Sequence, residues 1–288
     1  MLQQTTVAAV IPYYERWMTK WPTLQEFATA SEDEVLAMWQ GLGYYRRARQ
    51  LLAGAKTIAT SGLTPTTCLD WREVPGIGPY TAAAIASIAC GEAVALVDGN
   101  VMRVYARIVA DGSARPQLER NAWRWAEENL VDDRPGDWNQ ALMELGATVC
   151  RPRAPLCDDC PVAEFCAAYQ QGVVGDFPRP PEPKDWRVIN HYAAMYIKDG
   201  HIALQQAAPG EWWSGLWTLP RLSEPGDGEE LAVIRHVVTN HKITLSLRRW
   251  QSQPPGSKLF SMSELSAIAI PSPDKKLLAK VGKLFGND

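Results

Sequence analysis

Four of the six cysteines lie within the seventeen residues 150–166, and this cluster constrains the fold more than any other feature. They are Cys150, Cys157, Cys160 and Cys166, in the spacing Cys-x6-Cys-x2-Cys-x5-Cys. Cysteine thiolates are the usual ligands of iron–sulfur clusters, and four of them can hold one cluster. The spacing therefore predicts a [4Fe-4S] cofactor bound by the loop 150–166.

Three other interpretations of these cysteines stay open. A four-thiolate zinc site usually combines two Cys-x2-Cys pairs, and only one is present. A redox-active Cys-x2-Cys leaves Cys150 and Cys166 unexplained. Two disulfides need an oxidising compartment, which nothing in the sequence indicates. The remaining pair, Cys68 and Cys90, is predicted to be buried as ordinary core side chains.

The length of 288 residues predicts two domains, each with its own core. No N-terminal export signal and no apolar run long enough to cross a bilayer occur in the sequence. We therefore expect a cytoplasmic protein with no membrane partner.

The charge balance differs between the two parts of the chain. Residues 1–178 contain 15 Lys and Arg against 21 Asp and Glu, a net charge of −6, and the remainder contains 14 against 11, a net charge of +3. A protein that holds nucleic acid by diffuse positive charge usually carries a net positive charge. Any nucleic-acid contact of the first part must therefore depend on helix N-termini, backbone amides and a few arginines.

The first part of the chain predicts an all-helical domain at 1–170. Apolar residues recur there at helical spacing. The stretches concerned are 7–21, 34–39, 48–58, 82–89, 101–109, 117–129 and 139–149.

A proline-rich segment at 176–185 predicts a linker, which we place at 171–187. After it, 188–197 and 201–206 predict two strands joined by a turn at Asp199-Gly200. A later strand is predicted at 243–250 and a closing helix at 273–285. The second domain, 188–288, is therefore predicted to be α+β.

The segment 74–82, Val-Pro-Gly-Ile-Gly-Pro-Tyr-Thr-Ala, lies between two predicted helices. Gly76 and Gly78 flank Ile77, which permits a tight hairpin and a close approach of another backbone. The helix that follows presents unpaired N–H groups to an anion such as a phosphate. A simple glycine-capped corner between two helices is the alternative.

Asp98 stands between an apolar run and the start of a helix, in the sequence Val-Asp-Gly-Asn-Val at 97–101. An aspartate here is typical of a helix N-cap. Beside a cleft, the same carboxylate can face positive charge that develops on a sugar.

The glycine-rich hairpin, the aspartate and the four-cysteine loop follow one another in that order. With them the chain resembles the helix-hairpin-helix DNA glycosylases that carry an iron–sulfur cluster, and within these the MutY-type adenine glycosylases. Three further segments carry the resemblance: Met-Leu-Gln-Gln-Thr at 1–5, Gly-Leu-Gly-Tyr-Tyr-Arg-Arg-Ala-Arg at 41–49 and Met-Glu-Leu-Gly-Ala at 143–147. The resemblance implies a mainly α glycosylase domain, a Nudix-like C-terminal domain, and excision of adenine opposite 8-oxoguanine or guanine in double-stranded DNA. It also implies a monomer that lies beside the nucleoid of a bacterial cell.

The resemblance also implies roles for individual residues. Asp98 would stabilise the sugar cation, and Asn100 and Tyr80 would position that carboxylate and the attacking water. Glu144 would hydrogen-bond the edge of the adenine. The remaining implied contacts are Gln3, Gln4, Tyr44 and Thr239 near the mispaired base, and Gly76, Ile77, Gly78 and Tyr80 at the DNA backbone.

Tyr80 separates two branches of the superfamily. Relatives of the endonuclease III type carry a lysine two residues after the second hairpin glycine, and its amine forms a Schiff base that leads to strand cleavage. A tyrosine cannot form an imine. The resemblance therefore implies a glycosylase that does not cut the strand, and it disfavours the glycosylase/lyase alternative.

The C-terminal domain departs from the family at a Phe-Ser-His loop that reads 8-oxoguanine. The matching residues here are Val238, Thr239 and Asn240. Thr239 keeps a hydroxyl, whereas Asn240 replaces an imidazole by an amide. After the segment 216–220, Glu229 and Glu230 are the only adjacent glutamates, so we expect no magnesium-dependent pyrophosphatase activity.

In the family, a glutamate that protonates adenine precedes the residue matching Met1 by two positions. This sequence begins after that position, and we expect a late-assigned start rather than a degraded gene. As an alternative function, a chain without this acid would bind the mispair but excise adenine slowly.

Overall fold

The computed structural model describes residues 1, 6–180 and 185–285. Gln3 and Gln4 lie outside the described residues. The chain forms two compact units, one comprising Lys56–Pro183 and the other Met1–Ala55 with Lys184–Asp288. This grouping places the first helices with the C-terminal part, whereas the sequence groups them with the helical domain. The second break lies within the predicted linker 171–187, and the domain limits stay predictions.

Eleven α-helices occur in the described residues. They are α1 (Val7–Lys20), α2 (Leu24–Ala28), α3 (Glu32–Trp39), α4 (Arg46–Ser61), α5 (Cys68–Glu73), α6 (Pro79–Ala89), α7 (Gly99–Ile108), α8 (Arg115–Glu128), α9 (Pro135–Glu144), α10 (Ala167–Gln170) and α11 (Ser272–Phe285). The predicted helices are confirmed, with most starts two to four residues earlier than their apolar pattern. Side-chain caps explain two of these starts, because Ser31 forms a reciprocal capping box with Glu34 and Asp98 accepts from the amides of Asn100 and Val101. No helix among the described residues is long and apolar enough to cross a membrane.

The strands of the second unit form two four-stranded sheets. They are β1 (Arg187–Met195), β2 (Ile197–Lys198), β3 (His201–Gln206), β4 (Trp217–Thr218), β5 (Arg221–Leu222), β6 (Glu230–Val238), β7 (His241–Arg249) and β8 (Lys258–Phe260). One sheet has the order β5-β1-β7-β6, with β1 parallel to β7 and the other pairs antiparallel. In the other sheet, β2 and β8 flank β3, and β4 also pairs with β3.

The predicted hairpin between 188–197 and 201–206 is wrong in its pairing. The turn Asp199-Gly200 exists, with φ of 50° and 73°, but it joins only the two-residue strand β2 to β3. The long strand β1 instead pairs with β5 and β7. A turn signal specifies its nearest neighbours, whereas a parallel partner more than fifty residues away leaves no local signal.

An aromatic core holds the first helices of the unit that contains the sheets. The ring centroid of Trp17 lies 4.8 Å from that of Trp21, 4.9 Å from Phe27 and 5.8 Å from Trp39. Leu216 and Ala269, from the C-terminal part, complete the same core. Tertiary contacts of this kind explain why residues 1–55 group with the sheets.

A buried ion pair fixes α11 within the C-terminal part. Asp274 is fully buried, and its carboxylate accepts two hydrogen bonds from Arg221 at 2.8 Å and one from the Leu219 amide at 2.9 Å. All these groups are hydrogen-bonded, which a buried charge requires. Leu277 and Val281, on the same helix, are also fully buried.

Candidate active site

Asp98 is the N-cap of α7 and is held by three donors within the Lys56–Pro183 unit. Its Oδ1 accepts from the backbone amides of Asn100 at 2.8 Å and Val101 at 2.7 Å, and its Oδ2 accepts from Asn100 Nδ2 at 3.0 Å. The side chain is half-buried. A carboxylate at this position is stabilised by the partial positive charge of the helix N-terminus and has little freedom to rotate. The structure thus confirms the N-cap and also presents an oriented carboxylate.

Arg103 fixes the orientation of the Asn100 amide. Its Nη2 donates to Asn100 Oδ1 at 2.9 Å. Because a guanidinium can only donate, the amide oxygen must face Arg103 and the amide nitrogen must face Asp98. Arg103 is nearly buried, and it also donates to the carbonyl oxygens of Gly146 at 2.7 Å and Cys150 at 2.8 Å.

Tyr80, on the first turn of α6, lies close to Asp98. Burial raises the pKa of Tyr80, and the negative charge of Asp98 raises it further. Its hydroxyl therefore stays protonated at neutral pH, and it donates to the sulfur of Met143 at 3.4 Å. Met143 immediately precedes Glu144, the exposed last residue of α9. The structure thus brings Asp98, Asn100 and Tyr80 together and places Glu144 next to a residue that Tyr80 contacts.

A π-helical segment, Leu145–Val149, follows Glu144 directly. Such single π-turns are rare and are frequent at functional sites. Gly146 of this segment packs against Asn100, so closely that a Cβ at Gly146 would lie 2.6 Å from Asn100 Cβ and 3.0 Å from Asn100 O. Only glycine fits there, and its absence of a side chain brings the segment against the N-terminus of α7.

We expect Gly146→Ala to lower the free energy of unfolding by about 1–3 kcal/mol, since the added methyl group overpacks a site that backbone atoms border. The substitution should also slow any reaction that depends on Asn100, because that residue has to move. Urea denaturation measures the first effect. Gly175→Ala is the control, because a Cβ at Gly175 meets no atom within 4 Å. Equal stability of the two variants would contradict this account.

The glycine-rich hairpin has the geometry that the sequence predicts. Gly76 has φ of 84°, a conformation that favours glycine, and the Ile77 amide donates to the Val74 carbonyl at 3.1 Å. Gly78 is the N-cap of α6, with φ of −88°, and a Cβ added at Gly78 would meet no protein atom within 4 Å. The protein itself therefore does not require glycine at 78, whereas a ligand that approaches the backbone would.

The four clustered cysteines line one cavity, together with Arg107, Leu156 and Tyr169. Arg107 Nη1 donates to Cys150 Sγ at 3.2 Å, and the Arg107 carbonyl lies 3.3 Å from Cys166 Sγ. Burial raises the pKa of Cys157, and the neighbouring Cys150 and Cys166 raise it further. All six cysteines are free of disulfides.

The arrangement of these thiols differs from that of a mononuclear site. In the described part of the chain, no three His, Cys, Asp or Glu side chains are close enough to hold a single metal ion. A [4Fe-4S] cluster is larger than one ion, so its four ligands border a cavity rather than converge on a point. The donor set of four thiols around one cavity, with a cation at Cys150, fits such a group.

The two cysteines outside this set, Cys68 and Cys90, were predicted to be buried. The prediction is wrong for Cys90, which is exposed beyond the end of α6, while Cys68 is half-buried.

Tyr44 and Thr239 belong to the other unit, and both occupy strained turns. Tyr44 has φ of 49° beside Gly43 at 69°, and it is 63% exposed. Thr239 has φ of 53° and forms, with Asn240, the two-residue turn between β6 and β7. Backbone strain of this kind is maintained only where the surrounding structure imposes it. Both side chains are exposed to solvent.

Three residues of the site were not predicted from the sequence: Arg103, Arg107 and Met143. The two arginines stand four residues apart on α7 and are buried, at 9% and 3% exposure. The available signal was their position, because they interrupt an otherwise apolar helix that connects Asp98 with the cysteine loop. Charged residues on a helix are mostly exposed, so this signal is weak.

Residues 1–128 match the profile of the HhH-GPD superfamily base excision DNA repair proteins. The chain is 42% identical to the adenine DNA glycosylase of Mus musculus over 229 residues, which cover 77% of this chain and 43% of that protein. It is 51% identical to the adenine DNA glycosylase of Homo sapiens over 176 residues, which cover 59% of this chain and 32% of that protein. The matched part thus spans less than half the length of these two relatives.

Among solved structures, the chain is similar to a thermostable thymine-DNA glycosylase. The TM-score is 0.53 at 27% sequence identity, over 59% of this chain and 80% of that chain.

Proposed function

Because the chain belongs, through residues 1–128, to the HhH-GPD superfamily of base excision DNA repair proteins, we propose that it removes adenine from duplex DNA by hydrolysing the N-glycosidic bond. The adenine DNA glycosylases among its relatives support this choice of base. The proposal includes the mispair: adenine opposite 8-oxoguanine or guanine.

The orientation of Asp98 is the observation that carries the proposal. Cleavage of an N-glycosidic bond leaves positive charge on the sugar, as it does in glycoside hydrolysis. A carboxylate that three donors already hold in place can stabilise this charge without reorganising during the reaction. Asp98 has these three donors and remains half-exposed, so a sugar can approach it.

Asn100 and Tyr80 position Asp98 and the attacking water in this proposal. Both are side chains with a fixed orientation, Asn100 through Arg103 and Tyr80 through Met143. A base inside a duplex has to leave the stack before it reaches such a site. The hairpin at 76–78 supports that step, because backbone N–H groups at the start of α6 can hold a phosphate of the distorted strand.

Glu144 would hydrogen-bond the edge of the extruded adenine. Its exposure and its position beside Met143 support this role, since Met143 in turn contacts Tyr80. Tyr44, exposed on a strained turn, would fill the space that the extruded base leaves in the duplex. An aromatic ring stacks on bases regardless of their sequence.

We infer that Cys150, Cys157, Cys160 and Cys166, which line one cavity, would hold a [4Fe-4S] cluster. The cluster would supply a structural cross-link, since hydrolysis transfers no electrons. Arg107, donating to Cys150 Sγ, would offset the negative charge of the thiolates. Arg103 donates both to the carbonyl oxygen of Cys150 and to the side chain of Asn100. It therefore links a proposed cluster ligand to the residue that orients Asp98.

The C-terminal part would read the base opposite adenine through its β6–β7 turn. Thr239 presents a hydroxyl at the tip of this turn, and Asn240 presents an amide whose Nδ2 donates to the Asp185 carbonyl at 3.1 Å. The mixed sheet with its parallel β1–β7 pair and the packed helix α11 supports a Nudix-like assignment of this domain. The two adjacent glutamates at the start of β6 are paired, Glu229 with Arg249 and Glu230 with Arg248.

The direct test is a single-turnover assay on duplexes that differ only in the base opposite adenine. We expect adenine release from the 8-oxoguanine duplex, slower release from the guanine duplex, and none from the thymine duplex. Release of thymine or of an oxidised pyrimidine in place of adenine would contradict the proposal.

We expect the products to be abasic sites that break only after alkali treatment, because Tyr80 stands where a strand-cutting relative has lysine. Borohydride should trap no protein–DNA adduct with the unchanged protein. Tyr80→Lys should introduce trapping, since an amine there can form a Schiff base with the sugar aldehyde, whereas Tyr80→Phe should not. Strand scission by the unchanged protein without alkali would overturn this assignment.

A further inference from the structure

One face of the sheet β5-β1-β7-β6 carries a basic surface that no part of the proposed excision site uses. The register of the strands places its residues in two rows across β1, β7 and β6. The first row is Val188, Lys242 and Val237, and the second is Asn190, Thr244 and Arg235. We call these six residues, with Trp186 beside them, the outer sheet face.

The outer sheet face is open to solvent, unlike the opposite face of the same strands. Successive side chains alternate between the two faces of a sheet. On the opposite face, Ile243, Leu245 and Leu247 of β7 are buried. Leu277 of α11 belongs to the same core as Leu245 and Leu247. On the outer sheet face, by contrast, Val188 is 73% exposed and Val237 is 57% exposed. No described element covers these two rows.

The charges of the outer sheet face are all positive. Neither row contains an acidic residue, and within the described residues neither Arg235 nor Lys242 forms an ion pair. The two cations are diagonal neighbours on adjacent strands, about 7–8 Å apart at the backbone. Lys242 Nζ lies 5.0 Å from the ring centre of Trp186, which is itself partly exposed. Further along the same strands, the pattern changes, because Arg248 pairs with Glu230.

The polar groups of the outer sheet face match a phosphate backbone. Arginine, lysine, threonine and asparagine side chains are among the groups that donate hydrogen bonds to DNA phosphates. All four types occur together on the outer sheet face. This part of the chain also carries the net charge of +3 (14 − 11), against −6 (15 − 21) in residues 1–178.

From this juxtaposition we infer that the outer sheet face binds the sugar-phosphate backbone of duplex DNA. Arg235 and Lys242 each contact a phosphate. Asn190 and Thr244 donate hydrogen bonds to the same sugar-phosphate backbone. The contact is independent of sequence and of damage. It rests on the proposed function only in that DNA is the substrate.

The test measures the affinity of the 288-residue chain for an undamaged duplex as a function of salt. Each phosphate contact contributes about 0.9 to the slope of log K against log salt. We therefore expect Arg235→Gln/Lys242→Gln to lower the magnitude of that slope by about 1.8. Between roughly 50 and 200 mM salt, the affinity advantage of the unchanged chain should then shrink by about tenfold.

Two controls separate a specific contact from a loss of net charge. Arg235→Lys/Lys242→Arg keeps both charges and should keep the slope. Lys198→Gln/Lys276→Gln removes two exposed charges elsewhere in the same part of the chain and should also keep it. Circular dichroism and thermal unfolding establish that each variant is folded.

An unchanged slope in Arg235→Gln/Lys242→Gln would overturn the inference and leave the face to another partner, such as an acidic protein. An equal loss of slope in Lys198→Gln/Lys276→Gln would overturn it as well. Because the probe contains no mispair, neither result depends on excision. Failure of the proposed function would instead show as absence of adenine release by the unchanged chain.

Discussion

Asp98→Asn should reduce single-turnover excision of adenine by about 10²–10³-fold, the usual loss when one preorganised electrostatic group is removed from an active site. The asparagine cannot offset positive charge on the sugar. It should nevertheless keep the fold, because its side-chain oxygen can still accept from the amides of Asn100 and Val101, and asparagine caps helices as well as aspartate does.

The measurement compares excision, DNA affinity and thermal unfolding of the same preparations. Asp70→Asn is the matched control. Asp70 also lies in the first turn of a helix, but it is exposed and its carboxylate accepts from Thr67 rather than from the groups around Asp98. We expect Asp98→Asn to bind the mispaired duplex and to remain folded, with a small loss of melting temperature because its amide nitrogen cannot accept from Asn100 Nδ2. Excision at an undiminished rate would show that another group stabilises the sugar cation.

Cys157→Ser should remove the metal and destabilise the loop 150–166. The unchanged protein should be brown and contain about four irons per chain, the content of one [4Fe-4S] cluster. A loop of this kind folds around its metal, so loss of one ligand costs folding free energy as well as iron. For a chain of this size, each kcal/mol lost lowers the melting temperature by roughly 2–4 °C.

Cys90→Ser is the control for the metal experiment, because Cys90 is exposed and outside the cysteine cavity. It should leave the iron content and the colour unchanged. Stoichiometric zinc without visible absorbance in the unchanged protein would show that the cofactor assignment is wrong. Equal iron loss in both variants would point to general thiol oxidation instead.

Local signals explain what could be predicted from the sequence. The helices carry long apolar periods and side-chain caps, which act within a few residues. The Gly76 hairpin and the Asp98 N-cap are likewise local, so both have the predicted geometry. The short helices α2 and α5 were not predicted, because a helix of five or six residues contains too few apolar positions to show a helical period.

Contacts between distant residues explain what could not be predicted. The strand β6 was missed because the residues of Glu230–Val238 do not alternate strictly between apolar and polar, and because its pairing depends on β7. Gln40 donates to the Ile270 carbonyl at 3.1 Å, across most of the chain, and helps to group the first helices with the C-terminal part. The roles of Arg103 and Arg107 depend on where the cysteine loop returns, which no spacing along α7 reveals.

The π-turn at Leu145–Val149 also limits how this stretch can change in evolution. Deleting one residue would let it close into an ordinary α-helix, but it would rotate every later residue by about 100° around the helix axis. Cys150 would then turn away from Arg107, while Glu144 would stay where it is. Substitutions at Leu145, Thr148 and Val149 leave the later residues at the same angle around the helix axis, whereas insertions and deletions rotate them. We therefore expect sequence drift in this segment to proceed at constant length.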